Sequence, residues 1–242
     1  MNQDSDPGNS SSVVFEILDN RIEGLTLKID GFTELFTIAG EYNAYNIAAS
    51  YCTLTALGFP KKETLEAHSA TTLPPGRLKL LNPGYKENRE PIVVIDFAHT
   101  PDAIENILKT IRIVTSPEHE IITVFGCSGN RGEEKRPLMG AIAEKFSNYV
   151  IVTTRHPKKE NPEKIARDIE KGFSIDALYE IELDRKKAIN AAINRAGSNT
   201  VVLLLGMGHY NYQLVKKVKY PHSDEECAVE ALKNRRVDAR PG

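Results

Sequence analysis

The 242-residue sequence predicts an α/β protein whose larger part is a mostly parallel sheet covered on both faces. Three observations predict it. From about residue 91 onward, near-continuous apolar stretches alternate with amphipathic ones, as strands buried on both sides alternate with the helices that cover them. Four of the segments that follow those stretches are polar and rich in His, Arg, Lys and Asn. Before residue 71 the pattern differs, with three short apolar alternations leading into a helical period.

Taken in order, residues 1–12 are rich in Ser, Asn, Asp and Gly and read as a flexible lead. "VVFEIL", "IEGLTLKID" and "FTELFTIA" alternate with period two and read as strands of a meander or sheet edge. "EYNAYNIAASYCTLTALG" carries Tyr45, Ala48, Ala49, Cys52 and Ala56 at helical spacing and stops at Gly58. Residues 61–69 read as a second short helix. "TTLPPGR" is the strongest punctuation in the chain, and a domain boundary is expected just after it.

Beyond it, "PIVVIDF" is a buried strand, and "TPDAIENILKTIRIV" a helix with Thr100 as cap and Pro101 in its first turn. "EIITVFG", "YVIVTT" and "TVVLLLG" are further strands. "KRPLMGAIAEKF", "NPEKIARDIEKGF", "DRKKAINAAINRA" and "SDEECAVEALKNR" are helices, the last capped by Ser223. In such sheets ligands bind beyond the carboxyl ends of the strands. That rule selects "DFAHTPD", "GCSGNRGEEK", "TTRHPKKENP" and "GMGHYNYQ", and these four are expected to converge on one mouth.

Composition bounds the function. A formal net charge of −2 argues against a nucleic-acid binder with a broad basic face. No apolar run is long enough to span a bilayer, and the N-terminus lacks the apolar core of a secretory signal. Cys52, Cys127 and Cys227 are odd in number and widely spaced, so a reducing cytoplasm fits better than a disulfide framework.

Each loop supports a functional reading beside a plainer one. Gly126, Gly129 and Gly132 leave backbone N–H groups unshielded ahead of a helix, and Arg131 and Lys135 add charge, which suits an anion. A tight strand-to-helix turn would need the same glycines. Asp96 suits a ribose hydroxyl and His99 a phosphate or base, while His99 as a loop-packing histidine and Asp102 as a first-turn charge are the alternatives. Arg155, His156, Lys158 and Lys159 form either a binding cluster or a solvated charge run. His209 follows paired glycines, as a ligand-facing residue or as a buried histidine in a turn. No catalytic residue and no metal ligand is assigned, because no triad, metal-ligand spacing or paired carboxylates can be defended.

Taken together these loops resemble the Mur ligases, in the UDP-N-acetylmuramoyl-tripeptide synthetase branch. "VVIDFAHTPDAIENIL" is similar to that branch's D-Y-A-H-T-P-D-A-L-E, and "VFGCSGNRGEEKRPLMGAIAE" to its F-G-C-G-G-[ND]-R-D-x-x-K-R-P-x-M-G. "HPKKENP" stands where the branch has N-P-R-x-E-x-P, and "LLLGMGHYNYQ" where it has G-K-G-H-E-x-Y-Q. Upstream, "GEYNAYNIAA" resembles its G-x-x-N-x-x-N-x-x-A helix and "PPGRLKL" its G-R-x-E hinge. The matches run in order from about residue 40 to residue 234.

The resemblance implies a Rossmann-like C-terminal domain over residues 77–242, preceded over residues 13–76 by the tail end of a Mur ligase central ATPase domain. It implies an ATP- and Mg²⁺-dependent ligase adding an amino acid to a UDP-linked muramoyl dipeptide through an acyl phosphate, in peptidoglycan precursor synthesis. Carried over by position, Asn43 and Asn46 fall at the adenine, Arg77 at the phosphates and Asp96 at the ribose, with His99 beside the nucleotide. Arg131, His156 and Lys158 fall where the family grips the incoming amino acid, with Arg155, Gly206, His209 and Tyr210 lining that pocket. The partners implied are the UDP-muramoyl peptide, the amino acid and the ATPase half, in cis or trans, with no nucleic acid and no membrane.

Two departures qualify that expectation. No G-x-x-G-K-[ST] occurs in the chain, so by itself it is expected to have little or no ligase activity, and residues 13–70 are expected to expose apolar surface. The branch's D-N-P-R becomes Arg155-His156-Pro157-Lys158, the Glu of G-K-G-H-E becomes Tyr210, and Phe97 replaces a Tyr. Two acids that balance a distal ammonium are thereby lost, which predicts a neutral or acidic amino acid, or lost selectivity. The competing classes are a non-catalytic amino-acid or nucleotide-binding module or partner subunit, and a folylpolyglutamate-synthetase-like ligase.

Overall fold

The computed structural model describes residues 13–71, 74–83, 85–88 and 90–238. The expected lead over residues 1–12 lies outside the described residues, as do Thr72 and Leu73 within "TTLPPGR". The chain forms two compact units, Met1–Thr72 and Leu73–Gly242.

The first unit is an antiparallel meander of β1 (Phe15–Arg21), β2 (Gly24–Ile29) and β3 (Phe32–Phe36), followed by α1 (Glu41–Ala56) and α2 (Lys61–Ser69). Ile29 faces Phe32 across a two-residue turn, Asp30-Gly31, with φ of 49° and 87°. Two left-handed residues make the turn whose twist matches the flanking strands, and Asp-Gly tolerates it. Asp30 then serves twice more, accepting from the Tyr51 hydroxyl at 3.2 Å and pairing with Lys61 Nζ at 2.7 Å. Burial, and after it the Asp30 charge, pushes the Tyr51 hydroxyl up to about 12. The face of α1 that is buried holds Ala44, Ile47, Ala48 and Tyr51, whereas Tyr45, Ala49 and Ala56 are exposed. Apolar residues lie nearly all round this helix, so the side it buries is set by the elements it packs on, α2, β1 and β2, the last with Leu25, Leu27 and Ile29 fully buried. Leu35, Leu57 and Phe59 stand exposed on this unit.

The second unit is a six-stranded sheet of β4 (Lys79–Leu80), β5 (Ile92–Asp96), β6 (Glu120–Phe125), β7 (Tyr149–Val152), β8 (Tyr179–Ile181) and β9 (Thr200–Leu205). Their order is β4-β5-β9-β6-β7-β8, parallel throughout except for β4 at one edge. The mostly parallel α/β architecture expected from the sequence is therefore the one observed. α3 (Tyr85–Asn88) is a single turn before β5, and α4 (Pro101–Val114), α5 (Arg136–Phe146) and α6 (Pro162–Glu170) pack in a row, with α5 against β7. α7 (Arg185–Arg195) and α8 (Asp224–Asp238) pack with Val93, Ile95, Ile122, Val124, Ile151, Val202 and Leu204 in one core cluster. Successive strand residues point to opposite faces, and both faces are covered, which is why the strands read as unbroken apolar runs. The caps behave as the sequence predicts: Thr100 Oγ1 accepts from Ala103 N at 3.3 Å and Ser223 Oγ from Glu226 N at 3.2 Å.

The strand order brings the carboxyl ends of β5, β9, β6 and β7 side by side, so the loops after them share one edge. An antiparallel hairpin of β10 (Tyr212–Val215) and β11 (Val218–Pro221) extends the loop after β9. Its turn, Lys216-Lys217, has Lys216 at φ 54° without a Gly or Asn to signal it. For that reason the sequence shows only a polar loop there. β8 is a three-residue edge, too short for a periodicity. Among the described residues, no helix is long and apolar enough to cross a membrane.

Behind the β9 loop sits a fully buried ion pair. Arg185 at the start of α7 donates from Nε and Nη2 to the two carboxylate oxygens of Asp224 at 2.7 Å each, and from Nη2 to the Leu205 carbonyl at 2.8 Å. His222 Nε2 lies 2.8 Å from Asp224 Oδ1. Burial alone would raise the Asp224 carboxyl, but the Arg185 guanidinium and His222 outweigh it and hold it at about 2. The pair joins the starts of α7 and α8 to the end of β9. Removing one member strands a buried charge, so Asp224→Asn is expected to lower stability by ~3–5 kcal/mol in urea unfolding. Because the folded carboxyl titrates below an unfolded one, this contribution is present above pH ~4 and is lost as pH falls towards 2.

Candidate functional site

The loops after β6 and β7 are fastened to each other by Arg136, the first residue of α5, which is fully buried. Its Nη1 and Nη2 donate to the two oxygens of Glu160 at 2.6 and 2.7 Å, and Nη1 also to Asp168 at 3.0 Å. Glu160 accepts from Asn130 N at 2.9 Å, and Gly129 N donates to the His156 carbonyl at 2.9 Å. Hydrogen bonding to Arg136 holds the Glu160 carboxyl down at about 2.

The glycines of "GCSGNRG" answer to this close approach. A Cβ on Gly126 would stand 1.9 Å from the Thr153 carbonyl oxygen, and one on Gly129 2.0 Å from that of Pro157. Gly132 has no such neighbour but takes φ 63°. The first two glycines therefore admit the neighbouring loop, and the third makes the left-handed step into a short 3-10 turn, Glu133–Lys135. The same device joins two other segments: a Cβ on Gly76 would lie 2.3 Å from His209 N, and one on Gly208 2.8 Å from Phe97 Cβ.

Between these loops is a cleft of about 280 Å³ lined by His99, Thr100, Pro101, Cys127, Ser128, Arg131, Gly132, Glu134, Lys135, Met139 and Arg155. Arg155 is 3% exposed, and it donates from Nε to the Gly206 carbonyl at 2.7 Å and from Nη1 to Ser128 Oγ at 2.9 Å. Both acceptors are neutral. Burial, then the nearby Arg185 and Arg131, pulls its guanidinium down to about 10. Phe97 forms an adjoining platform, with the Arg77 and Arg155 guanidinium carbons 5.2 and 5.6 Å from its ring centre. The rings of His99, His209 and Tyr210 lie 4.6, 5.4 and 5.6 Å from it.

His156 is buried and accepts on Nδ1 from Leu214 N at 3.1 Å. An amide can only donate, so Nδ1 is bare and the neutral ring carries its proton on Nε2. Burial foremost, then Arg155, Arg185, Lys158 and Arg131, lowers this imidazole to about 4. His99 is also lowered, chiefly by burial, against the contact of its Nδ1 with the Phe97 carbonyl at 3.0 Å. Burial pushes the Cys127 thiol up to about 12, so it is no nucleophile at neutral pH.

The structure thus gathers Arg77, His99, Arg131, Arg155, Gly206, His209, Tyr210 and His156 around one cleft and its Phe97 platform. Asp96 lies beneath, its two oxygens accepting from Leu78 N at 2.8 Å and Ala98 N at 2.7 Å. Lys158 has φ 55° and is held in the backbone by a bridge to Val215. Asn43 and Asn46 belong to the first unit, where Asn43 is buried with its amide donated to the Ala39 carbonyl at 2.6 Å and Asn46 is exposed. Sequence reasoning missed Ser128, which orients Arg155, and Arg136 with Glu160, which hold the two loops together. Their partners are 24 to 32 residues away, beyond any local pattern. Among the described residues, Glu133, Glu160 and Asp168 are close enough to hold a cation. Their oxygens already accept from Arg136, Lys164 and Lys171, so the group does not fit Mg²⁺.

Residues 76–208 match the family model described as Mur ligase, glutamate ligase domain. A protein of Cytophaga hutchinsonii named UDP-N-acetylmuramoyl-L-alanyl-D-glutamate--2,6-diaminopimelate ligase is 37% identical over 219 residues, covering 90% of this chain and 44% of the relative. Its namesake in Aquifex aeolicus is 41% identical over 195 residues, covering 81% and 39%. The chain thus spans less than half the length of these curated relatives. A solved structure of the same name superposes with a TM-score of 0.68 at 28% identity, covering 95% of this chain and 47% of that one. A folylpolyglutamate synthase from Thermotoga maritima, at 19% identity and a TM-score of 0.61 over 80% and 44%, shares the fold.

The His156 environment sets a measurable titration. In ¹⁵N-detected NMR its ring is expected to stay neutral, with the proton on Nε2, at pH 6 and to charge only near pH 4. Since its folded value lies below the unfolded one of ~6.5, its contribution to stability is present above that pH and fades as pH falls towards 4. A ring already charged at pH 6 contradicts this geometry.

Proposed function

The chain belongs to the Mur ligase family, and on that premise we propose that it carries the amino-acid-receiving part of an ATP-dependent ligase that extends a UDP-linked muramoyl dipeptide. Residues 77–242 act as the amino-acid-binding domain and residues 13–76 as the end of a central ATPase domain. The setting is peptidoglycan precursor synthesis in the cytoplasm. The observation that supports this reading is the cleft itself, where loops matching the family's motifs in order present Arg131 and Arg155 to one small space.

The chemistry runs in two steps. The dipeptide's terminal carboxylate attacks the γ-phosphorus of ATP, forming an acyl phosphate as the β–γ anhydride bond breaks and ADP leaves. The amine of the incoming amino acid, having lost a proton, then attacks the acyl carbon, and phosphate departs as the C–O bond breaks. In such transfers, stabilising the spreading phosphoryl charge and positioning the reactants do most of the work. This chain's share is positioning. Arg131 grips the amino acid's carboxylate, neutral His156 offers an Nε2–H, and the Arg77–Phe97–His209 cluster forms the nucleotide-side wall. Phosphate chemistry calls for the lysine and Mg²⁺ site of a phosphate loop, and the acids described here do not fit that metal.

Two outcomes are expected. Isolated chain mixed with ATP, UDP-muramoyl dipeptide and amino acids should release ADP no faster than background, and robust turnover would refute the division of labour. Arg131→Ala should weaken amino-acid binding by roughly 10- to 150-fold, the worth of one charge-assisted contact at ~1.5–3 kcal/mol. A change under about twofold in an NMR titration removes Arg131 from the site.

A further inference from the structure

Among the described residues, three buried arginines mark the second unit, and two of them are neutralised. Arg136 pairs with Glu160 and Asp168, and Arg185 with Asp224. Arg155 pairs with no carboxylate among the described residues; its hydrogen bonds go to the Gly206 carbonyl and the Ser128 hydroxyl, both uncharged. It is nevertheless 3% exposed and lines the cleft. A guanidinium removed from water without an opposite charge is costly, and the cost falls when an anion arrives.

The rest of the cleft increases the imbalance. Arg131 and Lys135 bring its cations to three, against the single carboxylate of Glu134. Arg155 is also fixed in place: Gly206 and Ser128 hold the guanidinium, and Phe97 lies 5.6 Å from it. A pre-ordered fork of this kind matches a carboxylate better than a mobile lysine would. Arg155 stands, moreover, at the position where the resembling branch places an acid. The charge at this point of the pocket is therefore reversed.

We propose that Arg155 is the specificity-determining residue of this cleft and selects an amino acid whose side chain ends in a carboxylate with no ammonium beside it. Arg131 takes one carboxylate of such a ligand and Arg155 the other. The inference rests on the amino-acid-binding reading above and narrows it to a substrate class. A far-end ammonium, as in lysine or diaminopimelate, would meet a fixed guanidinium where the branch offers an acid. An amide, as in glutamine, would leave the guanidinium uncompensated.

The test is an NMR titration of the 242-residue chain with glutamate, glutamine, lysine and diaminopimelate, following backbone amides of the cleft and the Arg155 Nε–H. Glutamate is expected to bind at least roughly tenfold more tightly than the other three and to shift the Arg155 Nε–H. In Arg155→Gln, verified as folded by its amide spectrum, glutamate and glutamine should bind within about twofold of each other. Arg155→Lys, which keeps the charge, should retain a preference for glutamate. Glutamine, lysine or diaminopimelate binding as tightly as glutamate overturns the proposal and leaves the amino-acid reading standing. Binding of none of the four at tens of millimolar overturns both. The wild-type comparison decides the matter even if neither variant folds.

Discussion

The bidentate contact between Arg136 and Glu160 is the constraint on which the rest of the site depends. Glu160 lies in the loop after β7 and Arg136 at the head of α5, beyond the loop after β6. Because the guanidinium is buried and its fork engages both carboxylate oxygens, the two loops can close only in one register. Gly126 and Gly129 complete the fit by leaving room for the carbonyls of Thr153 and Pro157. Given that register, Arg131 rises on one side of the cleft and Arg155 on the other.

The chain uses arginine in three physically different ways within one domain. Arg136 and Arg185 are fasteners, each repaid for burial by a carboxylate with good geometry, and each joins elements far apart in sequence. Arg131 is exposed and lines the cleft. Arg155 has the burial of the fasteners yet lines the same cleft as Arg131, and the proposed selectivity rests on that combination. The His156 imidazole beside it is depressed first by burial and then by the surrounding cations, Arg155 ahead of Arg185, Lys158 and Arg131.

Phe97 shows how a conservative-looking departure changes a site. Where the resembling branch has a tyrosine, the ring here loses its hydroxyl and serves as a platform for two guanidinium groups, two imidazoles and Tyr210. Such contacts depend on ring faces and not on a donated hydrogen bond. Gly208 is confined to glycine partly because Phe97 lies so close to it.

By itself the sequence determined the α/β class, the parallel strands, the helix caps and the four loops at the strands' carboxyl ends, because burial on two faces and helix capping leave local marks. It also displayed the departures from the resembling motif, a cation at Arg155 and a neutral ring at Tyr210 in place of acids, since those are substitutions within a readable motif. It could not say that Gly126 and Gly129 serve loop-to-loop packing, that Asp96 is engaged by Leu78 and Ala98, or that α1 buries Tyr51 in place of Tyr45. Nor could it divide the arginines into paired and unpaired. Those facts arise from groups tens of residues apart meeting across a sheet edge, and only tertiary structure decides which charges find a partner once water has been excluded.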